Sequence, residues 1–262
     1  MSTNYPVVLV FAGHDPSGGA GIQADIETLH SHHCHCVSVI TALTEQDSST
    51  VKSCVAQPAD HILRYAQTLF ADMPIAVIKI GLIANRETVL AIHQLLQQHP
   101  HIPVVFDPVL ASGDGSRFSD ESLLESFRQY LLPYTTVVTP NSQEARLLTE
   151  LELLPDCGQK LLNLGCQYAL ITGTHESTAL VENQLFYAQQ QQSFSWQRLP
   201  YSYHGSGCTL ASSIAGLLAQ GLDPLTAIAE SQDYTWNALA EAYKVGLGQH
   251  NPQRFFWIPV ND

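Results

Sequence analysis

Positive charge is scarce in this 262-residue chain, where 11 Lys plus Arg stand against 24 Asp plus Glu for a formal charge of −13. A nucleic-acid binder normally shows a basic footprint, so that class is disfavoured. Charge of either sign is thin, at 13% of residues against 45% hydrophobic ones, which excludes a disordered chain and allows a sizeable core. No apolar run approaches the ~20 residues of a membrane span. The apolar start from Val7 to Ala12 is short, lacks a basic flank and runs into glycines, so no targeting signal is expected. Six scattered cysteines (Cys34, Cys36, Cys54, Cys157, Cys166, Cys208) in a chain this large read as reduced thiols, and the cytoplasm is the expected compartment. Nor does any linker or low-complexity break interrupt the chain, and one domain over residues 1–262 is expected.

What is present alternates. Val- and Ile-rich segments of strand length, at Pro6 to Ala12, Val37 to Thr44, Ile75 to Ile80, Pro103 to Asp107, Thr136 to Thr139 and Tyr168 to Thr172, read as buried parallel strands. Between them, Gly21 to His32, Pro58 to Phe70, Arg86 to Gln98, Asp120 to Leu131, Asn141 to Glu150 and Asp156 to Leu164 carry apolar residues at helical spacing. Ala179 to Tyr187 and Gln192 to Leu199 suggest an antiparallel edge, after which Gly207 to Ala219 and Pro224 to Tyr243 return to helix. The pattern is a repeated βαβ unit, and open parallel sheets bind ligands at the carboxyl ends of their strands.

The unusual residues sit at those ends. Gly13 and Gly18 have the spacing of a phosphate-binding Walker loop, but Gly19 and Ala20 stand where its Lys and Ser or Thr belong, and that reading fails. No GxGxxG fingerprint for a dinucleotide is present either. The loop serves as a flexible turn or as a place where a ligand nears the backbone, with the carboxylates of Asp15 and Asp25 as acceptors. Gly205-Ser206-Gly207-Cys208 opens an apolar helix, where unpaired N–H groups bind anions without a lysine. Cys208 lies in that first turn, where the helix dipole favours a thiolate, although a small buried cysteine also suits a tight helix start. Asn141 and Glu144 offer hard oxygen ligands that suit Mg²⁺, or simply a capping box. The run His30-Ser31-His32-His33-Cys34-His35-Cys36 lacks the spacing of a structural zinc site.

Taken together, AGHDPSGGAGIQAD (12–25), SVITALTEQ (38–46), KIGL (79–82), VVFDPV (104–109), VTPNSQEA (138–145) and HGSGCTLASSIA (204–215) resemble the hydroxymethylpyrimidine and phosphomethylpyrimidine kinases of thiamine biosynthesis, members of the ribokinase-like superfamily. The resemblance implies a three-layer α/β fold with a mostly parallel central sheet flanked by helices on both faces. It implies phosphorylation of 4-amino-5-hydroxymethyl-2-methylpyrimidine, and then of its monophosphate, with ATP as co-substrate and Mg²⁺ as cofactor. Gln46 matches the pyrimidine-binding glutamine, with Gly13, Asp25, Leu82 and Val109 lining the same pocket. Gly205, Ser206, Gly207 and Cys208 match the anion hole, with Cys208 as general base. Asn141 and Glu144 match the residues that organise Mg²⁺ and phosphates, with Asp107 beside them as a metal ligand and Thr172 on the nucleotide side.

Three departures stand out. His14 replaces a common Thr. Thr172-Gly173-Thr174-His175 replaces a Lys-Gly-Gly-His pattern, which implies either weaker nucleotide affinity or phosphate contact shifted to Lys79 or another cation. The Ala111 to Phe118 segment keeps a glycine-containing flap character in different wording. Pyridoxal or pyridoxine kinase and a catalytically weak thiamine-precursor sensor are the competing functions. The expected partners are the pyrimidine and ATP, with no nucleic acid, no membrane, and a homodimer left open.

Overall fold

Val8, Leu9, Val10 and Phe11 are each fully buried, so both faces of the strand they form, β1 (Val7–His14), are covered. Successive side chains alternate: Val8, Val10 and Ala12 join one apolar cluster and Leu9 and Phe11 the other. The computed structural model describes residues 5–110 and 120–258. The flap segment Ala111 to Phe118 lies outside the described residues.

β1 sits inside a nine-stranded sheet ordered β3-β2-β1-β4-β5-β6-β7-β8-β9. The partners are β2 (His35–Gln46), β3 (Val51–Ala56), β4 (Ile75–Ile80), β5 (Val104–Phe106), β6 (Val137–Val138), β7 (Tyr168–Ile171), β8 (Leu180–Tyr187) and β9 (Gln190–Gln197). Pairing is parallel from β2 through β7 and antiparallel at β2–β3, β7–β8 and β8–β9. Helices α1 (Gly21–Ser31), α7 (Ser206–Ala219) and α8 (Pro224–Ala240) cover one face. The other is covered by α2 (Ala59–Asp72), α3 (Arg86–Gln98), α4 (Glu121–Ser126), α5 (Ser142–Thr149) and α6 (Leu154–Asn163). Helices on both faces of a mostly parallel sheet make the three-layer α/β architecture that the sequence implied. No described helix is long and apolar enough to cross a membrane.

Two local features position the site. The small residues Ala211, Ser212, Ser213, Ala215 and Gly216 are buried along α7, so that helix lies close on the middle of the sheet and points its N-terminus at the strand ends. β2 continues past Thr44 and turns into β3, a strand not expected from the sequence. Its residues are mostly half-buried or exposed, so no buried face imprints a period on VKSCVA. The Asp47 carboxylate closes the hairpin turn by accepting the Ser49 and Thr50 N–H groups at 2.8 and 3.0 Å. The expected single helix from Asp120 to Leu131 is also interrupted: α4 runs into a π turn over Phe127–Leu131.

Candidate active site

A cavity of about 560 Å³ opens at the carboxyl ends of β1, β4, β5 and β6 and is closed on one side by the start of α7. Gln46, Gly13, Leu82 and Val109 all line it. Gln46 Nε2 donates to Thr44 Oγ1 at 2.8 Å, and Thr44 Oγ1 donates to the His14 carbonyl at 2.9 Å. The threonine hydroxyl has used its proton and can only accept, which fixes the amide's orientation and leaves Oε1 and one N–H for a ligand. Gly13 follows a bulge in β1, and a Cβ there would stand 2.8 Å from Leu82 Cδ2. The cavity wall at Gly13 thus leaves no room for a side chain.

Gly205 ends the approach to α7 with φ +78°, and a Cβ there would collide with the Gly19 carbonyl. Only glycine satisfies both demands. The N–H groups of Ser206, Gly207 and Cys208 in the first turn meet no acceptor among the described residues, while the Thr209 N–H returns to the Gly205 carbonyl at 2.9 Å. These donors face the cavity beside Cys208. Burial, together with the carboxylates of Asp107 and Asp25, pushes the Cys208 thiol up to about 12, although Lys79 pulls it down. The thiolate expected from the helix dipole is disfavoured in this environment: the dipole is outweighed by burial and two like charges.

Beside Cys208 stands Asp107, with Glu144 close to it. Burial raises Asp107 to about 6, and its carboxylate accepts a hydrogen bond from Cys208. Burial and the charge of Asp107 raise Glu144 to about 8. Glu144 Oε2 accepts the Asn141 N–H at 2.9 Å and Oε1 the Leu110 N–H at 3.3 Å, while Asn141 Oδ1 accepts the Gln143 and Glu144 N–H groups at 2.9 Å. The capping box is therefore fully formed. Asp107 Oδ2, in contrast, is buried with no hydrogen-bond partner. Two mutually repelling carboxylates, one with an orphaned oxygen, fit a divalent cation. Among the described residues no group of three or more His, Cys, Asp or Glu could hold a metal, so any ion here takes its remaining ligands from phosphate and water, as Mg²⁺ does. In the histidine-rich run, His32 Nε2 is hydrogen-bonded to Ser213 Oγ at 2.8 Å.

Residues 15–253 match the family described as phosphomethylpyrimidine kinase. The hydroxymethylpyrimidine/phosphomethylpyrimidine kinase of Salmonella typhimurium is 35% identical over 249 residues, covering 92% of this chain and 93% of the relative. The chain belongs to the phosphomethylpyrimidine kinase family. The Escherichia coli enzyme of the same name is 34% identical at the same coverage. Among solved structures, the phosphomethylpyrimidine kinase of Clostridium difficile superposes with a TM-score of 0.79 at 29% identity, covering 90% of this chain and 99% of that one. The pyridoxal kinase of Staphylococcus aureus in complex with pyridoxal gives 0.88 at 25% identity, covering 97% and 94%.

In this phosphomethylpyrimidine kinase family member, several residues stand elsewhere than the sequence suggested. Asp25 does not line the cavity. It is fully buried behind it, where Oδ1 accepts Lys79 Nζ at 2.9 Å and Ser212 Oγ at 2.6 Å. Lys79 is also fully buried, and although burial alone lowers its value, Asp25, Cys208 and Asp107 hold it above the ordinary lysine range. It stays charged at the cavity floor and is not free to serve Thr172. The Asp15 carboxylate offers no acceptor to a ligand either, being spent on Ser17, Ala20 and His204 Nε2 at 2.7–2.8 Å. Thr172 and His14 do line the cavity.

Arg254 escaped notice in the sequence. Only 1% exposed, it donates to the Gly19 carbonyl at 2.6 Å, Thr209 Oγ1 at 3.0 Å and Glu27 Oε2 at 2.8 Å. It ties the glycine loop to the first turn of α7. A lone arginine beside Phe255, Phe256 and Trp257 was the signal available.

Proposed function

We propose that this chain, acting as one ribokinase-like domain in the cytoplasm, transfers the ATP γ-phosphoryl group to the hydroxymethyl oxygen of 4-amino-5-hydroxymethyl-2-methylpyrimidine. It then phosphorylates the monophosphate to the diphosphate. The observation that carries this reading is the placement of an oriented amide, Gln46, and an unpaired helix N-terminus, Gly205 to Cys208, on one cavity with Asp107 and Glu144. A side-chain amide offers an acceptor to the exocyclic amine of the pyrimidine and a donor to its adjacent ring nitrogen. The N–H groups of Ser206, Gly207 and Cys208 supply donors to the transferring phosphoryl group, which passes through a largely dissociative transition state that positioning and charge stabilisation favour.

Mg²⁺, held by Asp107 and Glu144 with Asn141 and Thr172 on the phosphate side, would neutralise charge on the nucleotide. The minor thiolate form of Cys208 takes the alcohol proton late, as the new P–O bond forms and the bond to ADP breaks. With its thiol raised to about 12, that step contributes about 10²-fold or less, and the anion hole more.

Pyridoxal phosphorylation is the second reading, favoured by the superposition on the Staphylococcus aureus pyridoxal kinase. A coupled assay of ADP release with the pyrimidine, its monophosphate and pyridoxal, each with ATP and Mg²⁺, tests both. The pyrimidine and its monophosphate are expected to be turned over with higher kcat/KM than pyridoxal. Pyrimidine binding with no ADP release would leave only a sensor role.

A further inference from the structure

Among the described residues, two permanent cations line the cavity, Lys79 and Arg198. Lys79 is buried and committed to Asp25. Arg198, just beyond the end of β9, forms no ion pair among the described residues and is solvent-exposed. Its head is nevertheless fixed. Nε donates to the Thr178 carbonyl at 3.3 Å, Nη1 to the Thr174 carbonyl at 2.9 Å and Nη2 to the Glu176 carbonyl at 3.0 Å. These carbonyls belong to the turn that follows Thr172, so the guanidinium is held over the strand end that lacks a lysine. Each terminal nitrogen keeps an N–H not used by the turn.

The carboxylates of Asp15, Asp107 and Glu144 also line the cavity. A polyphosphate entering that field needs a cation that is both accessible and pre-positioned, and a planar guanidinium held by backbone carbonyls loses little freedom on binding it. We propose that Arg198 binds the nucleotide phosphates in this chain. The role is supplied from β9 rather than from the strand end at Thr172. The proposal rests on the kinase reading above.

The test is equilibrium titration with ATP, ADP and adenosine, followed by the emission of Trp196 and Trp236, which line the same cavity. Arg198→Gln and Arg198→Lys are compared with wild type, each with its melting temperature. Arg198→Gln is expected to weaken ATP and ADP about tenfold and adenosine less than twofold, with Arg198→Lys recovering part of the loss. ATP affinity within twofold of wild type in Arg198→Gln would overturn the proposal. So would a parallel loss of adenosine and ATP, which would make Arg198 a clasp for the turn. Wild-type protein that binds no ATP would instead overturn the kinase reading, and this proposal with it.

Discussion

Gln46 enters the cavity with its amide already oriented by Thr44, so its loss removes hydrogen bonds without loosening the fold. Gln46→Ala is expected to weaken the pyrimidine by about 2–4 kcal/mol in calorimetry with an unchanged melting temperature, and unchanged affinity would take Gln46 out of the site. Cys208 is a different case. A thiol raised to about 12 alkylates slowly, so iodoacetamide at pH 7.5 should modify Cys208 no faster than an ordinary exposed cysteine, and rapid modification would show a thiolate that burial ought to prevent. Residue types at this scale were legible in the sequence because strand-end position and family motif both single them out. Their electrostatic state was not, since Asp25, Lys79, Asp107 and Cys208 act on one another across separate segments of chain, and no spacing along the sequence encodes that.

Elements carry the next constraint. The start of α7 must accommodate φ +78° at Gly205 and a carbonyl pressed against it, so Gly205→Ala should cost on the order of 1–3 kcal/mol and abolish most turnover by displacing the N–H donors. A variant with native melting temperature and native kcat would contradict this. At the start of α5, the completed capping box means that Glu144→Gln has two effects. It should lower stability by about 1 kcal/mol and also depress kcat while raising the Mg²⁺ requirement. Activity per folded molecule equal to wild type would leave Glu144 a cap alone. The parallel strands and their crossover helices were readable because burial on both faces demands continuous apolar runs, as in Ile75–Ile80. β3 and the π turn were not, because neither leaves a pattern in apolar spacing.

Across the whole molecule, contacts distant in sequence join the glycine loop to the rest. His204 and Arg254 both reach back to residues 15–19, so the wall of the site depends on the closing segment of the chain. Burial alone would raise Asp15, but His204, Ser17 and the Ala20 N–H outweigh it and bring it down to about 2. Because the folded value lies below the unfolded one, near ~3.9, this stabilisation is complete above about pH 4 and disappears as pH falls through 2. Asp15→Asn should therefore lose about 2 kcal/mol at pH 7 and close to nothing at pH 2, read from denaturant midpoints. An equal deficit at both pH values would deny the linkage. The central claim is phosphoryl transfer to a pyrimidine alcohol, and its most direct test is mass spectrometry of the products formed from the hydroxymethylpyrimidine, ATP and Mg²⁺. Successive gain of one and then two phosphoryl groups is expected, and Gly205→Ala should lose both. Recovery of unmodified pyrimidine while pyridoxal is phosphorylated under the same conditions would contradict it.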